Sequence, residues 1–366
     1  MHDEELREAI DAARRRTGAW LDSMQATDAP AGVARISAAH DVWVWPGMLL
    51  PGTTNAILCR ELLGALPVDR AGAAAWLLRF RRADGVFRVP GMRDEDVFKK
   101  PDREETWRYI DWHVTNYALG AVEALLPGQA PVLEFARPYL DPRTLKAWLA
   151  DRDLNDPWQE GNNIVNLGSF LLGLRAEEPE AAGRALAILM SWHDYHREPA
   201  TGFYGLGQLS DPKRLLEAFA GSMHSFHLWY AEGRALPGQA RAVDYALSQP
   251  TAVGSACIDV DLVDLLVEAH DALDHRRDDI RAWLRRKVEA LVAFQDRDGG
   301  FADEREGIRR QDGWVRGYAE PQGLSNTFAT WFRWIAIAMA ADLLWPRAWE
   351  WRFRRMIGIG YRRRAA

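Results

Sequence analysis

The chain has 366 residues, of which 48% are hydrophobic and 27% are charged, and its formal net charge is −6. This size fits one large or two medium globular domains, and the acidic balance argues against a strong nucleic-acid binder. Two cysteines, Cys59 and Cys257, exclude a disulfide framework and a four-cysteine zinc site.

The sequence predicts a cytoplasmic protein. No uninterrupted apolar run reaches the roughly 20 residues of a membrane span. The chain starts MHDEELREAIDAARRR, which is charged where a signal peptide would be apolar.

In chain order, the apolar residues follow a helical period almost throughout, and strand-like alternation is nearly absent. Residues 1–30 predict an N-terminal helix that closes one end of the molecule. Over residues 31–345, helices with a charged face alternate with strongly apolar helices, and residues 346–366 form a basic, aromatic tail. Glycine can supply the positive φ that ends a helix, and Gly-aromatic turns recur at 84–87, 201–204 and 298–301.

Six apolar stretches open on or near a polar residue, and four of them carry a second polar residue three positions later, on the same helix face. The stretches begin at Thr53, His113, Asn163, His224, Asp261 and Asn326, and the later partners are Asn116, Asn166, His227 and Asp264. Capping needs only one polar residue, so the second would be buried unless it met a ligand, water or a neighbour. The irregular spacing of the stretches favours a closed ring of helices over an open solenoid.

Two segments resemble the repeats of the squalene-cyclase and protein-prenyltransferase superfamily. They are DWHVTNYALGAVEALL at 111–126 and the turn AFQDRDGGFADE at 293–304. The resemblance implies an all-α, single-domain (α/α)6 toroid, with six inner and six outer helices, over roughly residues 31–345.

The sharpest chemical candidate is the carboxylate run from Asp259 to Asp264. It is similar to the D-x-D-D motif of class II terpene cyclases, which implies that Asp261 is the proton donor, although Leu262 stands where the final Asp is expected. Crowding Asp259, Asp261 and Asp264 would raise the pKa of one carboxyl. The alternative is that Asp259 caps the helix and Asp261 only adds favourable charge to its first turn.

Histidines and aromatic residues complete the predicted site. His224 and His227 could share a proton with Asp261 or orient it, although a histidine on an apolar helix is ordinarily a core residue. The remaining candidates would bind substrate, or pack in the core, and are His113, Asn116, Asn163, Asn166, Asn326, Trp112, Trp158, Trp229 and Trp331.

No metal or other cofactor is predicted. Protein prenyltransferases hold zinc with Asp, Cys and His. Here Cys257 and Asp259 stand in the reverse order to that family's Asp-x-Cys, and Asn326 stands where the histidine would be expected. A zinc site built from His224, His227 and Asp261 was weighed and is disfavoured.

Three functions remain open on the sequence. The favoured one is acid-initiated cyclisation of an isoprenoid. The others are a carbohydrate-active enzyme, either a polysaccharide lyase or a glycoside hydrolase, and a non-catalytic toroid that binds a partner. We expect a small-molecule substrate, no nucleic acid, and peripheral membrane contact through the basic tail, for which a last helix packed on the ring is the alternative.

Overall fold

The computed structural model describes residues 1–93, 103–205, 211–304, 308–310, 318–321 and 323–354, and the fold within these ranges is all-α, as predicted. Two strands, β1 (Ile308–Arg310) and β2 (Ala319–Pro321), form a short antiparallel ladder, and 3-10 helices cover Pro46–Met48 and Glu134–Leu140. The α-helices are α1 Asp3–Ser23, α2 Leu49–Leu62, α3 Arg70–Leu78, α4 Arg103–Leu125, α5 Pro142–Ala150, α6 Pro157–Leu174, α7 Pro179–Tyr195, α8 Pro212–Ala231, α9 Gln239–Ser248, α10 Ala256–Ala272, α11 Arg277–Ala293 and α12 Thr327–Leu344.

Local sequence explains where several helices begin. In α5, α6 and α8 a proline occupies the first helical turn, and the aspartate before it accepts a backbone hydrogen bond from that turn. Proline has no N–H to lose there, and the aspartate satisfies one of the free donors of the helix start. Ser255 and Asn326 cap α10 and α12 in the same way.

The helices form two sets. Each even-numbered helix packs against the next one, from α2 through α4, α6, α8 and α10 to α12, and α12 packs back against α2, which closes the cycle. The odd-numbered helices pack against this set, for example α3 against α4 and α11 against α10 and α12, while α1 contacts α11. The polar positions predicted to share an interior therefore lie on helices that are neighbours in space.

Helix α12 is the most apolar of the even-numbered helices. Within the described ranges it alone has the length and hydropathy of a membrane span, and 94% of it is buried inside the protein. Contact with α2, α10 and α11 accounts for this burial. The hydropathy of α12 is thus that of a core helix.

A repeated hydrogen bond fixes four of the even-numbered helices to the preceding turn. In each case the residue two positions after a glycine of positive φ donates its backbone N–H to a hydroxyl at 2.8 to 2.9 Å. The donors and acceptors are Ala34 and Thr53 (α2), Phe87 and Thr115 (α4), Tyr204 and Ser222 (α8), and Phe301 and Thr330 (α12). The three predicted Gly-aromatic turns belong to this series, and the turn at Gly32 adds a fourth.

Of the six polar residues predicted to open the apolar stretches, only Asn326 stands at the start of its helix. Asn326 is the N-cap of α12, but α4 already begins at Arg103 and α8 at Pro212, so His113 and His224 lie near the helix centres. The first turn of α8 is exposed or only partly buried, so its apolar run starts later than the helix. The polar residues therefore lie deep along the helices and do not form a rim.

The segment after α12 crosses the C-terminal ends of α2 and α4. The backbone N–H of Arg352 donates to the carbonyl of Leu62 at 3.2 Å, and Arg354 forms ion pairs with Glu61 and, at 2.5 Å, with Glu123. Two aromatic side chains of the predicted membrane-contacting tail thus contact the protein itself: the Trp349 indole donates to Asp11 at 2.7 Å, and Trp351 packs on Trp334 with ring centroids 6.2 Å apart. The rest of that tail, 355–366, lies outside the described residues.

Helices α6 and α8 approach closely through glycines, which leads to a stability prediction. A Cβ built on Gly221 would overlap the carbonyl oxygen of Pro157, and one built on Gly161 would overlap the carbonyl oxygen of Gly221. We expect Gly221→Ala to lower the free energy of unfolding by about 1–3 kcal/mol, because the backbones must separate. The matched control is Gly183→Ala in α7, where a Cβ meets no atom within 4 Å. That change should stabilise by about 0.5–1 kcal/mol through helix propensity. Urea unfolding measures both, and equal effects of the two changes would contradict the close approach.

Candidate functional site

Asp261 on α10 lies at the centre of the candidate site. Its side chain is 1% exposed, and neither carboxylate oxygen has a hydrogen-bond partner. Burial, and then the neighbouring charge of Asp264, raise the pKa of the Asp261 carboxyl well above its usual range. Its burial therefore favours the neutral carboxylic acid over the carboxylate, and no hydrogen bond holds its proton.

Asp264 lies one turn further along the same face of α10 and is paired with a histidine of α8. Its Oδ2 is 2.8 Å from Nε2 of His227, and both side chains are almost completely buried. Asp264 thus has a fixed partner, whereas Asp261 has none. The three-residue offset predicted from the sequence places the two carboxyls side by side.

Two further histidines lie close to this pair, and both are neutral at physiological pH. Burial lowers the pKa of His113 on α4 to about 4. Burial lowers the pKa of His224 on α8 to about 3, and the proximity of His227 and His113 lowers it further. The Nδ1 atom of His224 is buried without a hydrogen-bond partner. Of these three imidazoles, His227 contacts Asp264, and His224 and His113 are its neighbours on α8 and α4.

Aromatic rings of α4 and α12 form the wall beside the histidines. Tyr109 stacks on His113 at 5.9 Å, and Tyr117 meets the same imidazole edge-on at 4.9 Å. Trp331 of α12 lies edge-on to Tyr117 at 5.2 Å. Burial raises the pKa of the Tyr117 phenol, and the charge of Asp261 adds to the effect, which places this ring near the acid.

Asp259 points away from the other two carboxylates. Its carboxylate pairs with Lys287 of α11 and Arg333 of α12, both fully buried, and accepts the backbone N–H of Gly254 at 3.2 Å. The alternative that Asp259 caps α10 is wrong, because the hydroxyl of Ser255 does so. The predicted crowding of three carboxylates reduces to the pair Asp261 and Asp264, since two cations hold Asp259 elsewhere.

The four predicted asparagines divide into two kinds. Asn116 of α4 donates to Oδ1 of Asn166 of α6 at 2.8 Å, and Nδ2 of Asn166 is buried without a partner. Asn163 instead donates to Glu160 at 2.9 Å, within a network that includes Arg152. Asn326 caps α12 by accepting the backbone N–H of Ala329. Only Asn116 and Asn166 present amides between helices of the inner set.

Of the four tryptophans proposed as walls, the structure brings only Trp331 to the histidines. Trp112 packs in an aromatic cluster between α4, α5 and α6, with Trp148 at 5.8 Å and Phe170 at 6.0 Å. Trp229 packs on His193 of α7 at 5.0 Å, and Trp158 is half-buried near the start of α6. Trp112 and Trp229 are therefore core residues.

Three buried residues of the inner helices were not among the predicted site residues, and two of them, Tyr117 and Tyr230, lie near Asp261. Asn55 of α2 is fully buried, and neither atom of its amide has a partner. Tyr230 has a buried hydroxyl without a partner, and the charges of Asp264 and Asp261 act on its pKa, which burial raises. Tyr117 is the third. A lone Asn inside the apolar α2 was a usable signal, whereas the tyrosines carried none, because tyrosine is common in cores.

A cavity of about 980 Å³ lies at the C-terminal ends of α2, α4 and α6, beneath the segment that follows α12. Asn116 and Ser169 line it on the side of the helices, and Trp351 and Phe353 line it on the side of that segment. Glu123, also in the lining, has a side chain that is 62% exposed, so the cavity communicates with solvent. Asn116 therefore belongs both to this cavity and to the buried polar interior.

In the part of the chain that the structure describes, no three His, Cys, Asp or Glu side chains are grouped so that they could hold a metal ion. A scan of protein-family models finds none that matches this chain, and a search of curated proteins finds no match.

Proposed function

We propose that the chain is an (α/α)6 toroid and that it acts as a terpene-cyclase-like enzyme, starting the cyclisation of an isoprenoid by protonating it inside the ring. The closed cycle of the six even-numbered helices supports the toroid, with the odd-numbered helices as its outer layer. Small-molecule sites are commonly built between the helices of such all-α folds.

The observation that carries the proposed chemistry is the state of Asp261. Its carboxyl is 1% exposed, has no hydrogen-bond partner and lies beside a second carboxyl, and all three conditions favour the protonated form. Such a group keeps its proton where a solvated acid would have lost it, so the proton is available to an apolar substrate that binds beside it.

The proposed reaction is balanced without a co-reactant. Asp261 transfers its proton to one carbon of a double bond, and the carboxylate and a carbocation remain. The faces of Tyr117 and Trp331 stabilise the cation while rings form. The cation then loses a proton to a basic group such as the neutral imidazole of His224, so the product is an isomer of the substrate.

A carbohydrate-active enzyme is the second candidate, and the partnerless amide atoms of Asn55 and Asn166 favour it, since sugar hydroxyls would satisfy them. The carboxyl arrangement favours the cyclase. Glycoside hydrolysis needs two carboxyls that flank the scissile bond, whereas Asp261 and Asp264 share one face of one helix and Asp264 is bound to His227.

Product analysis by mass spectrometry tests the proposal. Purified protein is incubated with squalene, farnesyl diphosphate or geranylgeranyl diphosphate, and we expect a cyclised product. Asp261→Asn should lower the rate by at least about 10²- to 10⁴-fold, because it removes the proton donor. Asp271→Asn, the same chemical change at an exposed position of α10, is the control and should retain full activity.

Each other outcome has a definite meaning. Equal turnover by wild type and Asp261→Asn would refute the assigned acid. Turnover of uronate-containing oligosaccharides, with no turnover of isoprenoids, would establish the carbohydrate alternative. Binding of a partner that Asp261→Asn leaves unchanged, with no turnover of either class, would favour a non-catalytic toroid.

A further inference from the structure

The proposed function requires that Asp261 regain a proton in every catalytic cycle. Once it has given its proton to a substrate, the carboxylate must be protonated again before the next turnover. It is 1% exposed and makes no hydrogen bond. Burial therefore hinders direct exchange with bulk water, and a route for the proton through the protein would overcome this barrier.

Polar side chains of α10, α8 and α4 form a series of neighbouring positions that begins at Asp261 and ends at the solvent-connected cavity. Asp264 lies one turn along α10 from Asp261, and His227 is 2.8 Å from Asp264. His224 lies one turn before His227 on α8, and the effect of His113 on its pKa places that imidazole nearby. One turn further along α4, Asn116 lines the cavity.

The groups in this row have the chemistry that proton transfer needs. A neutral imidazole accepts a proton on one ring nitrogen and releases one from the other. His113, His224 and His227 are named the histidine row: His224 and His227 are buried, His113 is partly buried, and Nδ1 of His224 is left without a protein partner. Nδ2 of Asn166, beside Asn116, is also partnerless, and water reaching this end of the row from the cavity would satisfy both groups.

We propose that the histidine row carries protons between water in the cavity at Asn116 and the carboxyl of Asp261. This inference rests on the proposed role of Asp261 as an acid, and it assigns His113 and His224 as proton carriers. One turnover takes a proton from Asp261 into the substrate and releases another from the product-forming cation. The row restores the proton at Asp261, so the protein ends each cycle unchanged.

A purely structural reading competes with this proposal, because buried histidines also fill cores. His193 on α7 provides the matched control for that reading. It is fully buried, neither ring nitrogen has a hydrogen-bond partner, and burial lowers its pKa to about 3, as for His224. Its ring contacts Tyr204, at 4.8 Å, and Trp229, outside the row.

Infrared spectroscopy tests the proposal without any substrate. The carbonyl stretching band of a protonated carboxyl that is present in the wild type and absent in Asp261→Asn reports on Asp261. After transfer into D₂O, the shift of this band gives the rate at which the carboxyl proton exchanges with solvent. We expect His113→Leu and His224→Leu to slow this exchange by at least about tenfold, because each removes a proton carrier. His193→Leu should leave the rate unchanged.

The outcomes separate this proposal from the proposed function. Wild-type exchange rates in both row variants would overturn the row while leaving Asp261 as the acid. The absence of any band that depends on Asp261 would overturn both, since the carboxyl would then be ionised. If a leucine variant does not fold, His113→Gln and His224→Gln keep a polar side chain of similar size that cannot carry a proton, and the same slowing is expected.

Discussion

We expect the free energy of unfolding of Asp261→Asn to increase relative to that of the wild-type protein as the pH rises. Folding buries the Asp261 carboxyl without a hydrogen-bond partner, which raises its pKa well above the usual 3.8. Above that pH the unfolded chain holds this carboxyl ionised, whereas the folded protein holds it protonated. Folding must then take up a proton, so the wild type loses stability until the raised pKa is passed.

The size of this effect follows from proton linkage. The stability difference between Asp261→Asn and the wild type should grow by about 1.4 kcal/mol per pH unit while Asp261 remains protonated in the folded state. At pH values below 3.8 the carboxyl is protonated in both states and its contribution to the slope vanishes. The buried amide of the variant has its own desolvation cost, which does not change with pH, so the slope and not the absolute difference is diagnostic.

Urea unfolding of both proteins between about pH 5 and about pH 7 gives this slope. Asp271→Asn, at an exposed position on the same helix, should differ from the wild type by an amount that hardly varies over this range. A flat difference for Asp261→Asn would mean that the folded protein holds Asp261 ionised. The acid-initiated mechanism would then lose its proton donor.

Asp259→Asn is expected to destabilise the protein by about 3–5 kcal/mol, because it leaves two buried cations without their carboxylate. Lys287 and Arg333 are fully buried, and both pair with Asp259. Arg333 keeps hydrogen bonds to the carbonyls of Gly254 and Asp303, and Lys287 keeps one to Ala252. These neutral acceptors do not replace a counter-charge, since the desolvation of both cations remains.

Denaturant unfolding measures this loss, and two further variants make it specific. Asp244→Asn removes a carboxylate from an exposed ion pair with Arg276, where the Asp244 side chain is 51% exposed. It should change stability by no more than about 1 kcal/mol. The double variant Asp259→Asn with Lys287→Met should be more stable than Asp259→Asn alone, because one unpaired buried charge is removed. If Asp259→Asn destabilised the protein no more than Asp244→Asn does, other groups would have to compensate the charges of Lys287 and Arg333.

Much of the architecture was readable in the sequence because its signals are local. The aspartates before Pro142, Pro157 and Pro212, and the glycines of the repeated turns, act on residues two or three positions away. The alternation of apolar and amphipathic helices is likewise a property of short windows. The starts of α4 and α8 were placed too late, since the residues of their first turns, REET and PKRL, are mostly polar and lack the apolar period.

The composition of the site was only partly readable. The sequence put polar pairs at three-residue offsets on apolar helices, and that periodicity alone determined that Asp261 and Asp264 share a face. It also contained a signal about Asp259 that the carboxylate motif obscured, since an offset of two residues turns a side chain to the opposite side of a helix.

The tertiary structure alone decided which partner each carboxylate has. Asp259 meets Lys287 and Arg333 from 28 and 74 positions further along the chain, and Asp264 meets His227 from 37 positions before it, while Asp261 meets no hydrogen-bonding group. Such partners are set by the packing of α8, α11 and α12 around α10, which no local pattern specifies. Burial and neighbouring charge determine a carboxyl's pKa. The sequence by itself therefore determined the helices and their faces, and the packing determined which of the three acids can hold a proton.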